Sequence, residues 1–170
     1  SQGNADAPVT LVEYGDYECP YCGQAHPIVK SLQRSLGDQL RFVFRNFPLP
    51  AAHPHALHAS IAAEAVAELG GSEAYWKMHD AIFENQRALD DTHLVRYASD
   101  SGVSDPAVAQ ALADELHVDR IQRDLTGGAR SGVNGTPTFF INGARFDGDW
   151  TDAAGFEAAL VAAGGASVRR

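Results

Sequence analysis

Sulfur is scarce in this chain of 170 residues: it has one methionine, Met78, and two cysteines, Cys19 and Cys22, in the run Cys19-Pro20-Tyr21-Cys22. With no further cysteine there is no second ligand pair for a zinc ribbon and no disulfide framework. A bridge between Cys19 and Cys22 would remove almost no loop entropy from the unfolded chain, so as a staple it contributes little. Its value is chemical. Basic residues are few as well: 13 Lys and Arg stand against 22 Asp and Glu, a net charge of −9. No basic patch is available to release counterions, which argues against a nucleic-acid or anionic-membrane partner. No apolar run approaches the ~18 residues that a membrane span requires. Ser1 to Ala7 is small and polar, without the apolar core of a signal peptide. Since the chain opens on Ser1, the expectation is that Ser1 is not a translation start. The compartment stays open, because a two-cysteine redox protein suits a reducing cytosol or an oxidising space.

What is present is an ordinary globular balance, 45% hydrophobic and 21% charged, and the length fits one domain over 1–170 with a sizeable core. Val9 to Tyr14 is β-branched and aromatic and ends at Gly15-Asp16, which predicts a buried strand. A helix is expected next, with Cys19 at its N-cap and Pro20 at the first helical position, where a missing N–H costs nothing. Cys22, Ala25, Val29, Leu32 and Leu36 then fall on one apolar face. Cys22 therefore points toward the core while Cys19 stands exposed at the helix mouth. Pro27 should kink this helix, and Gly37 should end it. Leu40 to Asn46 alternates as a second strand. The following ~90 residues carry helical periodicity broken at Gly70-Gly71, Asp90-Asp91 and Asp105-Pro106. A gap of that size is too long for a loop, so a helical insertion is expected over about 53–131. Strand character returns at Thr138 to Ile141. Asn142-Gly143 then predicts a two-residue hairpin pairing back at Ala144 to Phe146. Thr151 is expected to cap a last helix through about Ala163, followed by a loose tail from Gly164 to Arg170.

On these features the chain resembles the thioredoxin superfamily, in its DsbA-like branch. Four matches carry the resemblance: the Cys19/Cys22 pair at the mouth of the first helix after a strand; Glu13, six residues before Cys19; Pro27 at the offset of the family's helix proline; and Thr136-Pro137 leading directly into a strand. The helical insertion is what separates the DsbA-like branch from thioredoxins and glutaredoxins. The resemblance implies an α/β, thioredoxin-like fold with that insertion between the second strand and a cis-proline loop. The phrases VEYGDYECPYC, FRNFPL and GVNGTPTFFING are similar to short bacterial DsbA-like proteins often found without an export signal. That implies a cytoplasmic setting, or a periplasmic or extracytoplasmic one if a leader was removed. The dipeptide between the cysteines is Pro-Tyr, as in many glutaredoxins, where the type enzyme of the branch has Pro-His.

The chemistry expected of such a site starts from the thiolate, which is the nucleophile and is stabilised by unpaired N–H groups at a helix N-terminus. Cys19 is expected to attack or be attacked, and Cys22 to resolve the mixed disulfide. Glu13, in an otherwise apolar strand, is expected to be buried with a raised pKa and to take the proton of Cys22. The resemblance places Pro20, Tyr21, Thr136 and Pro137 at the substrate-binding face, where Pro137 leaves the adjoining edge free to accept an extended peptide. The motif does not set the direction of electron flow. A Cys19 pKa of about 5.5 favours the reduced form at pH 7 by only ~45 mV, against the ~150 mV between a thioredoxin-type reductant and a DsbA-type oxidant.

The leading expectation is thus a thiol–disulfide oxidoreductase acting on protein or peptide thiols and disulfides. It needs a separate recycling partner and no cofactor beyond the Cys19–Cys22 pair. The alternatives are a glutathione-linked, glutaredoxin-like reductase, and a metal-binding module using Cys19, Cys22 and His26 with His53, His55 or His58. The histidines of the run 53–58 read more simply as a polar helix start, and Tyr75 and Trp76 as core or groove-lining aromatics.

Overall fold

A computed structural model describes residues 1–168, and side chains through residue 165. The strands are β1 (Gln2–Gly3), β2 (Val9–Gly15), β3 (Leu40–Asn46), β4 (Thr138–Ile141) and β5 (Ala144–Arg145). The helices are α1 (Pro20–Leu36), α2 (Ala56–Glu84), α3 (Asp91–Asp100), α4 (Ala107–Ala113), α5 (Val118–Arg130) and α6 (Ala153–Val168). The five strands form one sheet in the order β1-β3-β2-β4-β5. β2 runs parallel to β3, and every other pairing is antiparallel.

β2 occupies the centre because it can be buried on both faces. In register, Leu11 lies opposite Phe42 and Ile141, and Glu13 opposite Phe44 and Phe139. That face joins Val29 and Leu32 of α1, Phe156 and Leu160 of α6 and the apolar side of α2 in the main core. The other face holds Tyr14, Phe47 and Val133, with Val12, Leu125 and Phe140 packed around them. Full burial of each large apolar side chain contributes about 1.5–3 kcal/mol. The two faces together therefore fix which way every residue of β2 points.

α1 begins as expected, with Cys19 at the N-cap and Pro20 just inside, and it runs unbroken through Pro27 to Gly37, which turns the chain at φ 50°. The insertion lies between β3 and β4. α2 changes course at Gly71, whose φ of 82° and ψ of −171° lie where a side chain is strained. Asp90 and Pro106 stand at the N-caps of α3 and α4. The hairpin turns through Asn142 and Gly143 at φ 48° and 85°, the left-handed pair such turns demand.

Both ends of the chain correct the sequence reading. Residues 2–3, in a segment for which the sequence reading named no element, add an edge strand to β3. This pairing uses backbone groups, so the polar composition carried no sign of it. The segment from Gly164 is not loose: α6 continues to Val168. Alanine-rich sequence propagates the helix through both glycines. Arg169 and Arg170 lie outside the described residues. Asp152, rather than Thr151, starts α6, since its carboxylate accepts from Gly155 N at 3.1 Å and its carbonyl from Phe156 N at 2.9 Å.

Candidate active site

The site forms where β2 hands the chain to α1. Asp16 follows the last residue of β2 and is fully buried. A buried carboxylate must be saturated with donors, and this one is. Oδ1 accepts from the backbone N–H of Glu18 at 2.8 Å and of Cys19 at 3.2 Å. Oδ2 accepts from Leu49 N at 2.9 Å and His53 Nδ1 at 2.8 Å. From the other side Gln86, in the link between α2 and α3, donates Nε2 to the carbonyls of Tyr17 at 2.9 Å and Cys19 at 2.8 Å. The cysteine loop is thus clamped by one side chain from the sheet end and one from the insertion.

Cys19 and Cys22 are both free thiols. Cys19 departs from expectation, being only 4% exposed rather than open at the helix mouth. The reason is long-range: its Sγ donates to the carbonyl of Thr136 at 3.7 Å, across the loop that precedes β4. The Thr136–Pro137 bond is cis. Thr136 Oγ1 is itself buried without a hydrogen-bond partner, so its hydroxyl is available to the sulfur once the thiol ionises. Tyr21 is 61% exposed, and Pro20 beside it is exposed too, so the dipeptide between the cysteines forms the open rim.

The electrostatics separate the two thiols. Cys19 is lowered to about 5, chiefly because the Cys22 thiol donates to it; Thr136 and the backbone N–H groups of Cys22 and Tyr21 add to this, against the effect of burial. Cys22 is pushed far above the usual thiol range, first by burial and then by its bond to Cys19 and the nearby charge of Glu13. Asp16 N donates to Cys22 Sγ at 3.5 Å. The pair thus consists of one readily ionised sulfur and one that holds its proton.

Glu13 lies on the core face of the central strand and is 2% exposed. Burial, then the charge of Cys19, raises its pKa to about 8. Its Oε2 has no hydrogen-bond partner. A Cβ added at Gly15 would lie 2.8 Å from that oxygen and 2.4 Å from the Phe44 ring, so the carboxyl is folded against the very end of β2. Asp16 and Cys22 are next to this point.

The sequence-predicted residues Cys19, Cys22, Glu13, Thr136, Pro137, Pro20 and Tyr21 meet at this one end of the sheet. His26, His53, His55 and His58 do not join the cysteines. Among the described residues, the one grouping of three or more ligand-type side chains is His26, His79 and Asp80, with no cysteine in it. His53 bonds Asp16, and His58 pairs with Asp91 and Glu115. The sequence reading missed Asp16 and Gln86. Asp16 was visible only as the residue that ends the strand, and nothing marked Gln86.

Comparison with known proteins agrees with the fold. A family model described as Thioredoxin matches residues 1–160. Among curated proteins, a Na(+)/H(+) antiporter NhaA 3 of Salinispora tropica is 44% identical over 149 residues, which is 88% of this chain and 22% of that protein. The chain thus spans about a fifth of the length of that relative. Among the described residues, no helix is long and apolar enough to cross a membrane. Among solved structures, oxidised BdbD from Bacillus subtilis superposes with a TM-score of 0.85 at 24% identity, covering 96% of this chain and 91% of that one. Wolbachia pipientis alpha-DsbA1 gives 0.82 at 22% identity, covering 98% and 90%.

Proposed function

The chain belongs to the thioredoxin family and has a DsbA-like fold, and from that premise we propose that it exchanges disulfides with cysteine-bearing protein or peptide segments through Cys19 and Cys22. One observation carries the proposal: the Cys19 sulfur at the N-cap of α1, lowered to about 5 while the buried Cys22 keeps its proton, lies 3.7 Å from the carbonyl of Thr136.

In the oxidising direction for the protein, the Cys19 thiolate attacks one sulfur of a substrate disulfide. The substrate S–S bond breaks, a Cys19–substrate disulfide forms, and the departing substrate thiolate takes a proton. Cys22 then loses its proton and attacks Cys19 Sγ. The intramolecular disulfide closes and the second substrate thiol leaves, so two electrons have passed to the substrate. With the Cys19–Cys22 disulfide as the starting state, the same steps run backward and oxidise a dithiol.

Glu13 is the acceptor for the Cys22 proton, since a carboxyl titrating near 8 beside a thiol of high pKa is matched to neutral pH. The exposed Pro20-Tyr21 rim and the edge at Thr136-Pro137 receive an extended substrate backbone. The disulfide itself is the redox group, so no cofactor takes part. Each turnover leaves the pair in the opposite state, so a second thiol–disulfide partner must return it.

Incubation with a disulfide-bonded model peptide tests this. Cys22→Ala should accumulate a mixed disulfide of protein plus half-peptide by mass spectrometry, because the covalent intermediate loses its intramolecular exit. Cys19→Ala should form none. Equal trapping by both variants would end the assignment of roles. Exchange with glutathione alone, at a rate exceeding that with the peptide, would favour the glutaredoxin-like alternative.

A further inference from the structure

We propose that His26, His79 and Asp80 form a binding site for one zinc-class divalent metal ion, which braces the helical insertion against the helix that carries both cysteines. This site is separate from the thiol chemistry and uses none of its residues. His26 stands on α1 one turn beyond Cys22, while His79 and Asp80 lie on the part of α2 that follows the Gly71 bend. One ligand atom from each of the three lies within 4.8 Å of the other two.

The Asp80 carboxylate is divided between two surroundings. Oδ2 accepts from Lys30 Nζ at 3.1 Å, whereas Oδ1 is buried without a hydrogen-bond partner. His26 Nε2 faces Oδ1 at 3.6 Å, beyond hydrogen-bonding distance. Two ligands about 2.1 Å from a tetrahedral ion stand about 3.4 Å apart, so this spacing suits a shared ion better than a direct bond. His79 completes the set. Its Nδ1 lies 2.9 Å from Tyr17 Oη, leaving Nε2 for a metal, and with an ion bound Nδ1–H would donate to the tyrosine oxygen. A hydrogen-bonded outer partner that fixes the imidazole tautomer is a regular companion of histidine ligands.

The buried Oδ1 thus lacks a partner, which a bound ion would supply. Two imidazoles and one carboxylate suit zinc rather than calcium or magnesium. Asp80, with its side chain 28% exposed, marks the route in, and Lys30 on the same rim competes with the ion for the carboxylate.

The test uses the oxidised protein, in which the Cys19–Cys22 disulfide removes both thiolates as ligands. Titration calorimetry with Zn2+ should show one ion per chain. Co2+ should give ligand-field bands without a thiolate charge-transfer band. Asp80→Asn and His26→Gln should each weaken binding by about tenfold or more, and Lys30→Ala should tighten it, which a purely structural ion-pair network would not do. Asp80→Asn sits at the rim and keeps the test open if His26→Gln fails to fold. Disulfide exchange by Asp80→Asn without added metal should match the wild type, so loss of the site and loss of the redox function are distinguishable. No Zn2+ uptake by the oxidised wild type, binding undiminished in Asp80→Asn, or uptake that appears only on reduction and vanishes in Cys22→Ala would each overturn the proposal.

Discussion

Replacing Glu13 by glutamine should stabilise the protein by an amount that grows with pH. The carboxyl is buried in the central strand and its pKa stands at about 8, against 4.5 for the solvated group, first because of burial and then because of the Cys19 charge. The native state therefore keeps this proton to a higher pH than the unfolded chain does. Between pH 4.5 and about 8 the unfolded state binds fewer protons, so stability falls as pH rises, by about 1.4 kcal/mol per unit. The accumulated cost at pH 7 is about 3 kcal/mol, a large share of the 5–15 kcal/mol that holds a typical domain together. Glu13→Gln removes the titration while keeping shape. Urea unfolding of both proteins from pH 4 to 9 should give a stability difference that is constant below pH 4.5, rises through neutrality and levels off near pH 8. In the oxidised protein the Cys19 charge is absent, so the plateau should arrive at lower pH. A difference that does not change with pH in either redox state would mean that Glu13 titrates as a solvated carboxylate. The same substitution should slow resolution of the mixed disulfide by on the order of 10²-fold while leaving Cys19 attack intact; stopped-flow traces with unchanged resolution would remove it from that step.

Alkylation of the reduced protein with iodoacetamide should label Cys19 with a midpoint near pH 5 and leave Cys22 unlabelled; peptide mapping that found the label on Cys22 would reverse the roles. Thr136→Val deletes the hydroxyl facing the Cys19 sulfur and should raise that midpoint by about one unit, the worth of a hydrogen bond to a charged group. An unmoved midpoint would show that the hydroxyl does not reach the thiolate. Asp16→Ala strips the acceptor from three backbone N–H groups and one imidazole; it should cost about 3 kcal/mol or more in urea unfolding, and a neutral result would mean that water or a rearranged loop replaces the carboxylate.

Local chemistry and period explain which parts of this molecule were legible in its sequence. β2, α1 and β3 each carry a strong signal: β-branched residues for one, an N-cap with Pro20 behind it for another, strict alternation for the third. The positions of Cys19, Cys22 and Glu13 along these elements followed, as did the left-handed turn at Asn142-Gly143. The edge strand at residues 2–3 was illegible because backbone pairing asks nothing of the side chains. The extent of α6 was illegible because two consecutive glycines are a breaker by propensity, and the alanines around them carry the helix through.

The burial of Cys19 is the more instructive departure. Helix geometry places residue 19 at the N-cap, and an N-cap is ordinarily wet. What covers it is the carbonyl of Thr136, which is 117 residues away in sequence, so no local pattern could announce it. The same holds for Gln86, which reaches the carbonyls of Tyr17 and Cys19 from beyond the end of α2. The four residues Cys19 to Cys22 supply the largest influence on Cys19, the bond from its partner, whereas the reluctance of Cys22 comes first from its burial by the rest of the fold. They do not suffice to hold that geometry still. The clamp is supplied by Asp16 on one side and by the helical insertion on the other. The insertion is thus part of the site's construction, and its removal would take the Gln86 amide away from the carbonyl that closes the first turn of α1.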